Sequence, residues 1–548
     1  MAITSRGRMA GMARAMSQLQ TAHQLLIRNL ERAVQDPSER TDDAGETVEA
    51  LLKDAPTTLL TAADFAAGTL RIRQSGRYLL TEDVDFDPPA EPSGENYPSP
   101  PYQLGFFAAI TVEAENVVID LGGHTIRQSK RHALRQRFFS VIELSDQPFL
   151  RGQGPSDFGP DDPGGSTMCL ITNGRIGRSA HHGIHGSGPN NDLFLKNVVI
   201  TDFEVAGVHI SNPKRCTLQN CHIARTRSDV PVRATYSHAI FARNALRRVD
   251  LTHRWRGKSG ADLLAEIELA IQQTENEVLS GNAVTNALFR NDTELLDGNC
   301  YGVVVHKRGV VIGPLASETR TGTSVFMVDV CIEDIVSAPQ KTTVFSAASS
   351  NAGGAETYGA AGQIVRGPVG DAIDLVSVGA PNAYTPTVLS DVQMYLARHA
   401  GKGNIPSRVL DWASGTTTFP ADTLYERSGL DSMAHTMKGN IGLFLSGIET
   451  VVADRIRVDG VHNRGNIGES PGDAPGDAAV GMLATACSKL VIRDSTVLDT
   501  NTCGAEFRHG TRASLKSVTI AKTSVPVLKD ADSSIHNTGG AHATLFVR

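Results

Sequence analysis

Polar residues that stand directly before short apolar strands recur at a nearly constant interval in the middle of the chain. Asn173, Asn197 and Asn220 head the segments NGRI, NVVI and NCHI, and they lie 24 and 23 residues apart. A period of this length is typical of a solenoid in which each repeat adds one turn. The pattern therefore predicts an all-β solenoid, which lengthens by adding turns rather than by adding domains.

Two apolar columns accompany this polar position. Four residues before it and three residues after it, the side chain is apolar or a small thiol in each repeat. Such columns arise when the same positions of successive parallel strands stack about 4.8 Å apart around one dry interior. Counted from Asn116, Asn173, Asn197, Asn220, Asp329, Asp494 and Ser517, the first column comprises Val112, Cys169, Leu193, Cys216, Val325, Leu490 and Ala513. The second comprises Ile119, Ile176, Ile200, Ile223, Ile332, Val497 and Ile520.

A glycine column precedes the polar one by 13 or 14 residues, at Gly183, Gly207, Gly442, Gly481 and Gly504. A turn with positive φ is the expected cause, because only glycine adopts it without steric cost. Residues alternate in a strand, so the residue after each glycine is predicted to face the interior and the next one to face outward. The outward-facing column would contain His185, His209, Leu483 and Glu506.

Two segments near the start of the predicted solenoid resemble a known family. Residues 70–86 read LRIRQSGRYLLTEDVDF, and residues 110–126 read ITVEAENVVIDLGGHTI. They resemble the opening strands of proteins of the pectate-lyase-like superfamily. The resemblance implies a right-handed parallel β-helix. It implies no single activity, because this fold carries lyases, hydrolases, epimerases, phage tailspikes and inert scaffolds.

The chain is predicted to have three parts. Residues 1–40 should form an N-terminal α-helix, because Met9, Met12, Met16, Leu19, His23, Leu26, Leu30 and Ala33 follow heptad spacing. This helix either caps the first turn of the solenoid or mediates self-association as a coiled coil. Residues 41–69 read as a linker, and residues 70–548 as the β-helix.

Long loop and helix insertions are expected at about 245–298 and 338–437. A repeat is predicted to begin at Ala239 before the first of them. Residues 259–280 inside it should be helical, since Leu263, Leu264, Ile267, Ala270 and Ile271 share one face. Insertions on a rigid solenoid are where function is usually carried.

Composition narrows the classes of function. A net charge of -7 and a pI near 6.2 give no basic surface for nucleic acid. The sequence shows no apolar run long enough to span a membrane and no signal peptide. Seven cysteines without a CxxC pair indicate neither a disulfide framework nor a zinc motif. Reduced cysteines favour intracellular synthesis or a particle-associated protein.

Candidate ligand-binding residues lie near the outward-facing column. His185 and His209 should stack about 5 Å apart on adjacent turns, close enough to share a ligand or a metal, with His182 beside them. Arg178, Asp202 and Arg225 follow the polar positions by five residues and predict a charge ladder, to which Arg227 adds a further guanidinium. Such histidines and ladders are more often structural than functional. No metal ligand set and no cofactor are predicted.

The motifs of enzymatic β-helix families are incomplete in this sequence. Asp161 and Asp162 lie in a Gly/Pro-rich loop, without the N-T-D motif of polygalacturonase-like hydrolases. The D-P-H-D motif of epimerase-like proteins is absent from the sequence. A pectate-lyase-like site needs an Arg or Lys base beside calcium-binding carboxylates, and Arg225 and Arg227 near Asp202 fit that only weakly.

Two functions therefore stay open. The first is a non-catalytic β-helix that serves as a structural or glycan-binding component of a larger assembly, such as a virion-like or surface-associated particle. The second is a polysaccharide lyase or epimerase acting on uronic-acid polymers, in which calcium would be the cofactor. The expected partners are a polysaccharide or glycan and a second copy of the chain.

Overall fold

The computed structural model describes residues 57–88, 107–136, 139–144, 168–186, 192–211, 213–225, 251–252, 254–255, 257–286, 300–306, 320–337, 345–347, 363–365, 439–463, 478–537 and 545–547, together with Tyr236, Ala239, Ile240, Arg243, Leu246, Arg247 and Phe289. The predicted helix over 1–40, Arg227 and most of the insertion over 338–437 lie outside the described residues.

Most described residues belong to short strands. In the first half of the chain these are β1 Thr57–Leu60, β2 Leu70–Ile72, β3 Gly76–Leu80, β4 Val84–Phe86, β5 Phe107–Val112, β6 Val117–Asp120, β7 Thr125–Gln128, β8 Phe139–Glu143, β9 Met168–Ile176, β10 His182–Gly186, β11 Asp192–Thr201, β12 Ala206–Ser211, β13 Arg215–Ala224, β14 Arg254–Trp255 and β15 Lys258–Ser259. In the second half they are β16 Cys300–His306, β17 Arg320–Glu333, β18 Val336–Ser337, β19 Phe345–Ala347, β20 Gln363–Val365, β21 Gly439–Ser446, β22 Ile448–Asp454, β23 Arg457–Asn463, β24 Ala478–Thr485, β25 Lys489–Arg493, β26 Thr496–Arg508, β27 Arg512–Lys516, β28 Thr519–Lys529, β29 Ser534–Asn537 and β30 Leu545–Val547.

Most of the strands stack into three parallel sheets, and each turn of the regular part contributes one strand to each sheet. Strands β14 and β15, and likewise β19 and β20, form separate antiparallel pairs. The first sheet comprises β2, β5, β8, β10, β12, β16, β21, β24, the C-terminal parts of β26 and β28, and β30. The second comprises β1, β3, β6, the N-terminal parts of β9, β11, β13 and β17, then β22, β25, β27 and β29. The third comprises β4, β7, the C-terminal parts of β9, β11, β13 and β17, then β23 and the N-terminal parts of β26 and β28. The prediction of an all-β solenoid of parallel strands is confirmed.

The recurrent polar residues form the corner between the second and third sheets. Asn173, Asn197 and Asn220 have φ values of 56°, 55° and 50°, a left-handed conformation that asparagine tolerates better than most residues. Their side chains also form a ladder. Asn197 Nδ2 donates to Asn173 Oδ1 at 3.1 Å, and Asn220 Nδ2 donates to Asn197 Oδ1 at 2.7 Å. Backbone conformation and hydrogen bonds between turns therefore both favour asparagine here.

Asn116 belongs to a different corner, although its φ is also 56°. Val112 before it pairs with Ile72 in the first sheet, and Ile119 after it pairs with Ile171 in the second. The assignment of Val112 and Ile119 to the two apolar columns was therefore wrong. In this turn the corner between the second and third sheets is a loop with two glycines at positive φ, which shifts the count by one sheet.

The two apolar columns are otherwise in register along the interior. Leu193 pairs with Cys169 on one side and with Cys216 on the other, and Ile200 pairs likewise with Ile176 and Ile223. All six side chains are buried in the core. Burial raises the pKa of the Cys169 and Cys216 thiols to about 12, so these cysteines pack as small apolar side chains.

The glycine column has a different cause from the one predicted. Gly183 and Gly207 lie within strands and do not have positive φ. A Cβ atom on Gly183 would lie 2.6 Å from Ile200 Cγ2 and 2.6 Å from the carbonyl oxygen of Gly207. The prediction of a positive-φ turn was wrong, because close packing of strand against strand requires glycine here. Gly302 of β16 belongs to the same column.

Two α-helices are described within the connections that lead from the third sheet to the first. Helix α1 spans Lys130–Arg135, and α2 spans Gly260–Leu279, beginning at a capping box between Ser259 and Asp262. The predicted helix over 259–280 is confirmed, and its buried face includes Leu263, Ile267, Ala270 and Ile271. An ion pair at 2.5 Å between Arg135 and Glu275 joins the two helices.

Two predicted boundaries need correction. Ala239 and Ile240 are helical and do not begin a repeat. Strand β12 pairs directly with β16, and β13 pairs directly with β17, so the residues between β13 and β16 are an insertion rather than a further turn. Strand β1 lies within the range expected to be a linker, yet it pairs in parallel with β3. Leu60 of this strand is buried in the core, and this burial stabilises the strand against the solenoid.

Candidate functional site

Titratable side chains converge on the outer side of the first sheet, two positions after the column glycines. In register, Glu143 on β8 pairs with His185 on β10, His185 pairs with His209 on β12, and His209 pairs with Val304 on β16. The same column continues through Phe444 to Leu483 and Glu506. The prediction that His185, His209, Leu483 and Glu506 share one column is therefore confirmed.

The column does not face solvent. His185 is 2% exposed, His209 and Leu483 are 0% exposed, and Glu506 is 4% exposed. A side chain that points away from the interior of a solenoid is exposed only where nothing packs over that face. Here the face is covered, and the predicted exposure of these residues was wrong.

The imidazole rings around this column lie in mutual contact. The rings of His182 and His185 stack with centroids 4.8 Å apart and planes within 5°, and both contact His209 edge to face at 5.2 and 5.1 Å. His181 contacts His182 at 4.6 Å, and His306 stacks on His209 at 5.2 Å. These residues, with Glu143, are referred to below as the histidine cluster.

Hydrogen bonds fix the orientation of two of the rings. His185 Nδ1 lies 2.6 Å from Glu143 Oε2, and Ser140 Oγ donates to the same carboxylate oxygen at 3.3 Å. His306 Nε2 lies 3.1 Å from His209 Nε2 and 3.1 Å from Ser211 Oγ. An ionised carboxylate only accepts, so with Glu143 ionised the proton of this contact belongs to His185 Nδ1.

The arrangement is suited to holding a cation. His182, His185 and His209 each present a ring nitrogen within 4.8 Å of the other two. Neutral imidazole nitrogens are frequent ligands of zinc and of other late first-row metals. A buried set of imidazole rings with a single carboxylate beside it favours a divalent cation over an anion.

The other predicted site residues are held elsewhere. Arg178 donates from Nη1 to the carbonyl oxygen of Gln128 at 2.8 Å, and its Nε lies 3.9 Å from Asp202 Oδ2. Arg225 donates to the carbonyl oxygens of Phe203 and Val336. Arg178 thus contacts a backbone carbonyl and Asp202, and Arg225 contacts two backbone carbonyls.

Glu143 and His306 were missed by the sequence analysis. Glu143 precedes the first countable repeat, so its register with His185 could not be counted. His306 lies beyond the insertion, but Gly302 was a usable signal. Aligning Gly302 with Gly207 pairs His306 of β16 with Ser211 of β12, the strand that also carries His209.

A second, smaller cluster lies on the outer side of the third sheet. His222 Nε2 lies 2.7 Å from Glu333 Oε1, and Cys331 Sγ donates to Glu333 Oε2 at 3.6 Å. Partial burial, with the Glu333 carboxylate beside it, raises the pKa of the Cys331 thiol to about 11. The thiol therefore stays protonated near neutral pH, which lowers the affinity of this cluster for a metal.

Another buried histidine lies in α1. Burial, and to a smaller extent the charge of nearby Arg135, lowers the pKa of His132 to about 3. Its ring packs edge to face on Phe86 and Phe139, and Gln128 Nε2 lies 2.9 Å from its Nδ1. His132 is thus a neutral core residue with a hydrogen-bonded nitrogen.

Comparisons with known proteins assign no family. No family model matches the chain, and no curated protein matches it. Among solved structures, it is similar to a mutant tailspike protein of E. coli bacteriophage HK620 in complex with a pentasaccharide, with 10% identity and a TM-score of 0.23. The match covers 92% of this chain and 61% of the tailspike chain. These values are too low to transfer a ligand or an activity. In the part of the chain that the structure describes, no helix is long and apolar enough to cross a membrane.

Proposed function

We propose that this chain is a non-catalytic β-helix that serves as a structural component of a larger assembly, with glycan binding as a secondary role. The proposal includes the finer assignment to right-handed parallel β-helices of the pectate-lyase-like type. The observation that carries it is the burial of the histidine cluster, where the titratable groups of the first sheet converge.

Burial argues against acid–base catalysis by this cluster. A general base must reach the proton that it removes, within about 3 Å or through one water. Glu143 and His185 form a hydrogen-bonded pair of the kind that catalysis uses, but both are only 2% exposed. A polysaccharide cannot approach such a pair, because it needs an open cleft that buries several sugar units.

The surface that the structure describes offers little for stacking a sugar. Its exposed large apolar side chains are Leu59, Leu269 and Leu279, and none of them is aromatic. Arg178 and Arg225, two of the candidate ligand-binding residues, donate to backbone carbonyls. A glycan-binding surface would therefore use other parts of the chain, whereas the regular solenoid suits a rigid spacer.

The test combines activity and assembly measurements on the full-length protein. Purified protein is incubated with polygalacturonate, alginate and hyaluronan. Unsaturated lyase products are followed by ultraviolet absorbance and mass spectrometry, and epimerisation, which changes neither absorbance nor mass, is followed by proton NMR of the polymer. We expect no turnover. Mass photometry and sedimentation velocity across a wide concentration range should show an oligomer. Turnover of any uronate polymer would support the lyase or epimerase function instead, and a strictly monomeric, non-binding protein would contradict the assembly role.

A further inference from the structure

We propose that His182, His185 and His209 form a buried binding site for a divalent transition metal ion of the zinc class. This site goes beyond the scaffold function and does not depend on it. The sequence predicted that His185 and His209 lie close enough to share a metal, but it assigned no metal ligand set.

The geometry of the three rings is close to that of a zinc site. One ring nitrogen from each residue lies within 4.8 Å of the others. Zinc–nitrogen bonds of about 2.0–2.1 Å in a tetrahedral site place two ligand nitrogens roughly 3.3 Å apart. The rings of His182 and His185 are parallel, and a metal lies in the plane of each ring that binds it, so side-chain rotation must turn at least one of them to point both lone pairs at one ion.

The Glu143 carboxylate orients the ring of His185. Its Oε2 lies 2.6 Å from His185 Nδ1, so the proton of His185 is held on Nδ1 and the lone pair stays on Nε2. Metal-bound histidines almost always donate their second ring nitrogen to a carboxylate, a carbonyl or a water. Ser140 Oγ fixes the carboxylate in turn, at 3.3 Å.

The fold itself does not require histidine at this column. Val304, Phe444 and Leu483 occupy the same register position in later turns and are equally buried. Burying a polar ring costs free energy unless its nitrogens are bonded. Packing of the sheet therefore does not by itself call for histidine on β10 and β12, whereas a metal site does.

The composition of the cluster suits a divalent ion. The ring nitrogens offer lone pairs to it, and the single buried Glu143 carboxylate offsets part of its charge. We assign the fourth coordination position to water or to His306, whose Nε2 lies 3.1 Å from that of His209.

The first measurement uses the wild-type protein. The full-length chain is produced in zinc-supplemented medium and purified without chelator, and its zinc content is determined by inductively coupled plasma mass spectrometry. We expect one zinc ion per chain. Because the ligands are buried, a sample refolded in the presence of excess zinc is measured as well. Protein refolded with cobalt(II) should show the strong visible bands of four-coordinate cobalt. A chain that holds no metal after both treatments would overturn the proposal.

Variants locate the ion. His209→Gln should abolish the zinc content, and Glu143→Gln should weaken zinc affinity by about 10–100-fold. His222→Gln removes a ligand from the cluster on the third sheet, and His536→Gln removes an exposed histidine, and both should retain the ion. Loss of zinc in His222→Gln with retention in His209→Gln would place the metal at the wrong site and overturn the proposal. If His209→Gln fails to fold, the cobalt spectrum of Glu143→Gln decides: an unchanged spectrum and affinity would count against the site.

Discussion

A Cβ atom on Gly207 would lie 2.5 Å from Cγ2 of Ile223, and the same relationship joins each column glycine to a β-branched residue of the third sheet. Two sequence columns that were counted separately are thus the two sides of one contact. The methyl group of the Ile or Val occupies the space that a side chain at the glycine position would need. The pairs are Gly183 with Ile200, Gly207 with Ile223, Gly302 with Ile332, Gly442 with Val458, Gly481 with Val497 and Gly504 with Ile520.

Gly207→Ala should therefore destabilise the protein by about 1–3 kcal/mol, as expected for overpacking a core. The added methyl would also approach the carbonyl oxygen of Gly302 at 2.9 Å. Urea unfolding measures the loss. Combining Gly207→Ala with Ile223→Leu, which lacks the clashing methyl, should cost less than the sum of the two single changes. If the two losses in unfolding free energy simply add, the contact between residues 207 and 223 is not the reason that position 207 requires glycine.

Ile200→Asp should destabilise by several kcal/mol, because an unpaired carboxylate would enter the interior between Ile176 and Ile223. Val199→Asp is the matched control, since Val199 is the adjacent residue on the same strand and is only partly buried. The two variants should differ by at least about 2 kcal/mol in thermal or urea unfolding. Equal losses would show that the register of β11 is not the one described.

Substitutions at Asn197 separate its two roles. Asn197→Gly loses the hydrogen bonds to Asn173 and Asn220 but still favours the left-handed turn. Asn197→Ala loses the same hydrogen bonds and also disfavours the left-handed conformation. Alanine should be the less stable of the two by about 1–2 kcal/mol, because a Cβ atom penalises φ near 55°. The difference in unfolding free energy between the two variants measures the conformational cost. A more stable alanine variant would contradict this account.

His132 should make stability depend on pH. Its pKa is lowered from 6.5 to about 3 in the folded protein, so between these pH values the unfolded state binds a proton that the folded state does not. Stability is then complete above pH 6.5 and falls as the pH decreases toward 3, by up to about 1.4 kcal/mol per pH unit. His132→Leu should remove this dependence. Urea unfolding at pH 7 and pH 5 tests it, and a wild-type-minus-variant difference that does not change with pH would contradict it.

Removal of residues 1–40 should leave the solenoid folded. We expect weaker self-association if the heptad stripe forms a coiled coil, or a lower melting temperature if it caps the first turn. Sedimentation velocity and thermal unfolding of the truncated and full-length proteins distinguish the two outcomes. No change in either measurement would contradict both roles.

The regular part of the solenoid could be predicted from the sequence because its spacing repeats. Counting from Asn173, Asn197 and Asn220 placed Leu193 and Ile200 in their columns, since turns of equal length must stack in register. Counting failed at Asn116, where one corner contains a longer loop. It also failed at Ala239, where an insertion follows a strand and the local sequence resembles a repeat.

The candidate site was predicted in part. The pairing of His185 with His209 followed from strand alternation, which gives the direction of a side chain relative to the sheet. Alternation does not show whether another segment covers that face, so the burial of both rings could not be predicted. Glu143 and His306 come from strands whose separation from His185 is set by irregular connections, and only three-dimensional register brings them together.

The insertion between β13 and β16 has a consequence for how the chain folds. Strand pairing joins Asp192 to Arg215 over 23 residues, but it joins Ala206 to Tyr301 over 95. Closing a loop four times longer costs roughly 1.2 kcal/mol more in chain entropy, and contacts between distant residues form slowly. We expect the turns on each side of the insertion to form as separate kinetic units. Their docking, which places His306 against His209, would then be a late event on the folding pathway.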